Sequence, residues 1–483
     1  MSDPAFRTAT ELAADIRGKR FSSSELTEHY IDRIEQRDDK INAVVVRDFD
    51  RAREAAADAD ALLAAGAEVG PLHGVPMTIK ESYDMTGQPT TWGIPGMASN
   101  VAHEDSESVK AYKAAGAHFL GKTNVPINLA DFQSYNDIYG TTNNPWDVAR
   151  TPGGSSGGSA AALAAGFTAL ESGSDLGGSI RNPAHFCGVY GHKPTWGIVP
   201  PQGHALPGMV AGPDIAVCGP LARSAEDLAL AMEVLAQPEP LDRSGWKLAL
   251  PKPERTSLSE FRVAIWPDHD GAPVAAEVAD RVSGVGDTLA RLGATVSDSP
   301  RPDTDIAEAH ANYLELLNAV MGAAVPAAAR KRIRADVEAL DPADRSQAAM
   351  TLRGTVIDHA DWLRANHRRE TLRMAWRDFF DEWDILICPT TATPAFIQDQ
   401  SAIQGRSLDV DGVDRPYFEQ LFWAGIVVGP YLCSTVFPTG PSKAGLPIGL
   451  QAVGAEYDDL RTIDFTRLLA REIGGFAPPP DFA

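Results

Sequence analysis

The 483 residues carry 65 acidic against 43 basic side chains, a formal net charge of -22, which excludes a general nucleic-acid surface and favours an acidic exterior. No apolar run approaches the roughly 18 to 20 residues of a membrane span, so neither a membrane helix nor a membrane partner is expected. Met1 to Arg20 is polar and charged and does not read as a secretory signal, and a cytoplasmic location is expected.

In chain order, Ser24 is read as the cap of an amphipathic helix carrying Leu26, Tyr30, Ile31 and Ile34; a short strand follows at Ala43 to Val46, then an alanine-rich helix from about 50 to 65. This section, 1–70, is expected to pack on the core. Val75 to Ile79 is a buried-strand pattern ending at Lys80, and Ser106 to Ala115 a helix closed by Gly116. Ala117 to Leu120 is a strand, and Ser156 to Ala165 starts as a glycine-rich loop and continues as an alanine-rich helix. The proline- and charge-rich interval 237–260 precedes a strand at Phe261 to Trp266, and about 304–382 reads as largely helical. Within it Arg330-Lys331-Arg332 reads as a solvated face. Alternating helices and strands imply an α/β fold, a mixed sheet covered by helices on both faces.

The chemistry concentrates in two glycine-framed serines. Gly153-Gly154-Ser155-Ser156-Gly157-Gly158-Ser159 is followed by Asp175-Leu176-Gly177-Gly178-Ser179-Ile180-Arg181. Glycine lets main-chain amides approach a substrate and converge on developing negative charge. A serine nucleophile needs a base. Lys80, at the end of its strand, has two readings: a surface lysine after a core strand, or a buried amine whose lowered pKa lets it accept a proton.

Two other motifs compete. Gly116 to Thr123 matches the phosphate-binding pattern G-x-x-x-x-G-K-[ST], which would make a nucleotide-binding protein, but a helix precedes the first glycine where a strand is needed, and Pro126 would interrupt a following helix. Gly153 to Gly157 matches the G-x-S-x-G nucleophile elbow, but the preceding residues, 144 to 152, hold two prolines and read as a loop. Asp358-His359, which could complete such a triad, sits in a charged helical stretch. Among the eleven histidines none has H-E-x-x-H spacing, and no metal or cofactor is called for. Cys187, Cys218, Cys388 and Cys433 lack C-x-x-C spacing and read as buried reduced thiols.

The segments Gly74 to Lys80, Asn143 to Asp147, Pro152 to Ser159 and Gly173 to Arg181, with further matches at 188–195, 219–224, 384–390 and 445–451, together resemble the amidase signature family of serine hydrolases. The resemblance spans nearly the whole chain and is strongest from about 70 to 230. It implies one large α/β domain, with 71–236 as the signature core, 261–483 as its remainder, and the 304–382 helices shaping the substrate entrance.

The same resemblance implies a Ser-Ser-Lys triad: Ser179 as nucleophile, Ser155 as bridging serine after a cis peptide bond from Gly154, and Lys80 as base. It implies an oxyanion hole from the amides of Leu176, Gly177, Gly178 and Ser179, braced by Ser156, Asp175 and Arg181. Leu129, Ala130 and Asp131 match positions near the reacting carbonyl. Tyr135, Trp92 and Phe422-Trp423 are aromatic residues read in loops, where they would form an apolar wall. Glu81 stands where aspartate is usual, leaving open whether its carboxylate meets Lys80. The expected activity is hydrolysis of a linear amide to acid and amine through an acyl-enzyme, on a small substrate with an apolar or aromatic group, extending to anilides, esters or carbamates. A homodimer is compatible with this reading. The alternative within the family is the glutaminase subunit of a tRNA-dependent amidotransferase.

Overall fold

The computed structural model describes residues 3–483. Strands β1 (Val44–Arg47), β2 (Pro76–Lys80) and β3 (His118–Thr123) form a small sheet in the order β1-β3-β2, with β3 antiparallel to β1 and parallel to β2. β4 (Tyr135–Asn136) and β5 (Gly140–Thr141) pair as a short ribbon.

The large sheet uses β6 (Glu171–Asp175), β7 (Tyr190–Lys193), β8 (Val217–Ala222), β9 (Arg262–Ile265), β10 (Thr295–Ser297) and β11 (Ile385–Pro389). After the ribbon of β12 (Ser407–Val410) and β13 (Val413–Pro416), it is completed by β14 (Cys433–Pro441) and β15 (Pro447–Gly454). Its order is β10-β9-β11-β15-β14-β7-β8-β6, parallel at the β10–β9 and β9–β11 pairs and antiparallel at the others.

Alternate residues of its strands enter opposite cores, as the two-residue period of a strand requires. Val263 and Ile265 of β9 and Ile385 and Ile387 of β11 face one core; Ala264, Leu386 and Cys388 face the other. Both faces are therefore covered, which explains why β15 is buried along its whole length. The first core also takes in Leu12, Ile16 and Tyr30 from the N-terminal helices and Phe482 from the C-terminal end. The irregular, largely exposed interval 237–260 links two parts of one sheet.

Two local expectations need correction. The helix Ser23–Arg37 is capped by Ser22, not Ser24, through a capping box with Glu25; Ser24 instead donates its hydroxyl to Asp60 at 2.6 Å. The S-x-x-E spacing of Ser22 and Glu25 carried that signal. The strand begun near Ala117 continues to Thr123, so the whole G-K-T segment is β-structure. The nucleotide-binding alternative fails on this point. Gly121 packs so closely on β1 that a Cβ there would lie 2.0 Å from the Val46 carbonyl oxygen, and Lys122 is buried, donating to Pro89 O and Thr90 Oγ1. No loop of free amides remains to cradle a phosphate.

The region 304–382 is helical as expected, in Ile306–Met321, Ala327–Glu338, Gln347–Val356 and His359–Glu382. Arg330, Lys331 and Arg332 lie on a helix with no buried residue, and Asp358 caps the last helix through the Asp361 amide. Among the described residues no helix is long and apolar enough to cross a membrane.

Candidate active site

Every residue of β2 is buried, so Lys80 ends the strand with its amine out of water. β2 lies against β6, the edge of the large sheet, although the two strands belong to different sheets. At that seam Lys80 Nζ donates to Ser155 Oγ at 2.7 Å and to Ser174 Oγ at 2.9 Å. Burial lowers the lysine pKa to about 7, against the opposing pull of Asp175, Cys218 and Glu171. The buried reading of Lys80 is the one the structure shows.

Ser155 follows a cis Gly154–Ser155 peptide and is 1% exposed. Its glycines are required by packing: a Cβ on Gly154 would lie 2.2 Å from Asp131 O, and one on Gly158 2.3 Å from Asn124 N. The loop then enters the helix Gly157–Ala164. The residues 142–154 that lead into Ser155 form no strand, so it does not stand on an elbow.

Ser179 stands in the turn between β6 and the helix Arg181–Cys187. The turn is organised by Asp175, whose carboxylate accepts from Gly178 N at 2.8 Å, Ile180 N at 3.1 Å, and Arg181 Nε and Nη2 at 3.0 Å each. Burial would raise the Asp175 pKa, but the Arg181 guanidinium and these amides win and hold it down to about 2. Arg181 in turn donates to Gln451 Oε1 at 3.0 Å, tying the turn to β15. Ser156 N donates to Ser179 O at 3.1 Å, which joins the two serine loops through their backbones.

The Gly178 amide is thus already engaged. Those of Leu176, Gly177 and Ser179 have no acceptor among the described residues. Nor does a hydrogen bond join the Ser179 hydroxyl to Ser155 among the described residues; both serines line one cavity of about 260 Å³.

That cavity is walled mainly by apolar side chains. Leu129 and Trp92 line it, as do Leu206 and Met209 from the loop after β7 and Val320 and Met321 from the end of the helix Ile306–Met321. Trp92, Asn128 and Leu129 hold left-handed backbone conformations, φ 54, 52 and 55, a cost that proteins commonly place at functional sites. His204 also lines it; burial lowers its pKa to about 3, so the imidazole is neutral, with Nε2 2.9 Å from Ser82 Oγ.

Several expected pocket residues lie elsewhere. Asp131 is spent on Arg406 Nη1 and the Tyr417 hydroxyl, both at 2.6 Å, and Tyr135 accepts from Arg406 Nη2 at 2.6 Å. Neither these two nor Ala130 lines the cavity, although the Asp131 carbonyl abuts Gly154. Phe422 and Trp423 are on a helix, Leu421–Val428, and buried in the second core, because that segment is apolar on all sides. Glu81 does not meet Lys80. Its carboxylate accepts from the amides of Thr91 and Trp92, at 2.6 and 2.9 Å, and from Tyr139 Oη at 3.1 Å.

Ser174, Leu206, Met209, Val320 and Met321 are site residues that sequence reasoning misses. Ser174 stands inside the second glycine motif, in a strand whose edge position is the missing information. The four apolar residues carry no chemical signature that separates a cavity wall from a core.

The four cysteines are buried and free; burial pushes Cys218, on the cavity wall, up to about 11. Among the described residues no cluster of three or more metal-ligating side chains occurs.

A family model described as Amidase matches residues 25–463. The chain is 32% identical to indoleacetamide hydrolase of Bradyrhizobium diazoefficiens, an alignment covering 97% of this chain and 87% of that one. It is 33% identical to a glutamyl-tRNA(Gln) amidotransferase chain of Anaeromyxobacter sp. (strain K), over 98% and 97% of the two chains. Among solved structures it is similar to a bacterial aryl acylamidase of the amidase signature family, with a TM-score of 0.79 at 26% identity, covering 97% of this chain and 96% of the other.

Proposed function

The chain belongs to the amidase signature family, and from that premise we propose that it is a stand-alone amidase cleaving small amides through an acyl-enzyme on Ser179. The observation that carries this reading is the Lys80 amine, buried and 2.7 Å from Ser155 Oγ, in a cavity that Ser155 shares with Ser179. A neutral Lys80 takes the Ser155 proton as Ser155 takes that of Ser179, and the Ser179 oxygen attacks the carbonyl carbon. The negative charge that develops on the carbonyl oxygen meets the amides of Leu176, Gly177 and Ser179. Gly178 acts at one remove, by fixing the turn on Asp175. The proton then returns through Ser155 to the leaving nitrogen, because amines leave poorly unprotonated. Water repeats the sequence to release the acid.

The apolar wall supports an amide with an uncharged hydrocarbon or aromatic group, which gains by leaving water for such a surface. Anilides, esters and carbamates present the same carbonyl to the same groups. The amidotransferase relatives support a second reading, a glutaminase that hands ammonia to a partner. Glutamine brings an α-amino and an α-carboxylate group, whereas the wall has no lysine or arginine, and its one carboxylate, Asp175, is paired with Arg181. The deciding experiment is a panel of aliphatic amides, aromatic amides, anilides and glutamine assayed with wild type and Ser179→Ala. Turnover of apolar amides that vanishes in the variant is expected. Turnover of glutamine alone, dependent on a co-purifying protein, would reverse the reading.

A further inference from the structure

Glu171 opens β6 with its side chain out of water, and the reaction above does not use it. Its Oε1 accepts from Thr78 Oγ1 at 2.6 Å and its Oε2 from Ser172 N at 3.0 Å. Thr78 precedes Lys80 by two residues on β2, so the two side chains share a face of that strand. Across the seam between the sheets no ladder pairs β2 with β6, and side chains span it instead: Thr78 to Glu171, Lys80 Nζ to Ser174 Oγ at 2.9 Å, and Thr78 N to Thr168 Oγ1 at 2.8 Å.

We propose that Glu171 is a positioning residue for Lys80: through Thr78 it anchors β2 across the seam, and it adds its negative charge to those that face the lysine amine. This rests on the reading of Lys80 as the base.

The groups facing Lys80 come from several elements, and they differ in what they can do near neutrality. Asp175 is paired with Arg181 and stays ionised down to about 2. The Cys218 thiol on β8 is pushed up to about 11, and His204 is held down to about 3, so both are neutral. Glu171 alone among them changes charge in the working range, because burial raises its pKa to about 7 against the hydroxyls of Thr78, Thr123 and Ser159 and the Ser172 amide. Beside Glu171, the Tyr112 phenol is pushed above its ordinary value by burial and stays neutral. Ionised Glu171 favours the ammonium, and a protonated Glu171 releases it, so the two sites titrate together.

The test is the pH dependence of covalent labelling of Ser179 by a fluorophosphonate, in wild type, Lys80→Ala, Glu171→Gln and Thr78→Val, each with its melting temperature. Wild type should show a rate that rises with pH through an acid limb, and Lys80→Ala should lose that limb. Glu171→Gln removes the negative charge but keeps an acceptor for Thr78, so its acid limb should move to lower pH by at least about 0.5. A stable Glu171→Gln protein whose limb stays in place overturns the proposal while leaving Lys80 as base. If Lys80→Ala keeps the wild-type limb, the reading of the base fails and the proposal fails with it. Should Glu171→Gln not fold, Thr78→Val decides: loss of the strut should slow saturated labelling at least about fivefold with reagent affinity unchanged, and an unchanged rate overturns the proposal.

Discussion

Asp175 and Arg181 meet through two hydrogen bonds of 3.0 Å, Nε to Oδ2 and Nη2 to Oδ1, with both side chains withdrawn from water. They bracket the turn that carries Ser179, and the same carboxylate takes two of its main-chain amides, those of Gly178 and Ile180. Breaking a buried pair by removing one partner leaves an uncompensated charge. Arg181→Ala should therefore lose about 3 to 5 kcal/mol of stability, read from urea unfolding. Because the Asp175 pKa is depressed from 3.8 to about 2, its contribution is complete above the ordinary value and is lost as pH falls from there toward 2. Acid unfolding of wild type should follow that window, and the variant should unfold at higher pH.

Activity should rise as pH passes about 7, because the neutral form of Lys80 is the base. The same depressed value has a stability consequence of opposite origin. An unfolded chain holds the lysine proton up to 10.5, so between about 7 and 10.5 the unfolded state binds more protons and Lys80 costs the fold less as pH rises. A pH–rate profile of kcat/KM with an acid limb near 7, absent from Lys80→Met, is the expected result.

Ser179→Ala and Ser155→Ala should each reduce kcat by about a thousandfold or more, with little added effect in the double variant, since groups that act as a unit are not additive. Neither change opens a large cavity. Melting temperatures within a few degrees of wild type would show that the loss is chemical.

Leu206 and Met321 reach the cavity from two separate segments. Truncating either to alanine should raise KM for an apolar amide about tenfold, the scale of one or two lost methylene contacts, and leave a small aliphatic amide little affected. Steady-state kinetics on a short and a long substrate separates the two outcomes.

Gly121→Ala should destabilise by about 3 kcal/mol or more, because its Cβ would lie 2.0 Å from the Val46 carbonyl oxygen, which belongs to backbone and cannot swing aside. Equilibrium dialysis with magnesium and labelled ATP should find no micromolar binding to wild type, since Lys122 is already committed to Pro89 and Thr90.

The difference between what is legible in the chain and what is not is clearest at Lys80 and Trp423. Lys80 ends a strand-like run whose pattern alone leaves it either a surface lysine or a buried amine; the family resemblance names it as the base, and the fold places its amine out of water. Trp423 lies in an apolar stretch, but whether such a stretch lines a cavity or fills a core depends on what packs against it, and here Trp266 and Ala272 do. Asp131 and Tyr135 escape a sequence reading for the same reason: Arg406, which occupies both, lies about 270 residues further along the chain.

Local devices follow from the amino-acid order alone: the Ser22–Glu25 spacing of the helix cap, the strand that delivers Lys80, and the two serines in their turns. They arise from sterics and hydrogen bonding within a few residues. It takes the folded chain to establish that Ser174 shares the Lys80 amine, that Glu81 serves Trp92 instead of Lys80, and which apolar residues enclose the cavity. The Ser174 contact depends on two sheets meeting at the β2–β6 seam, and a contact between chain segments far apart leaves no periodicity in either segment to announce it.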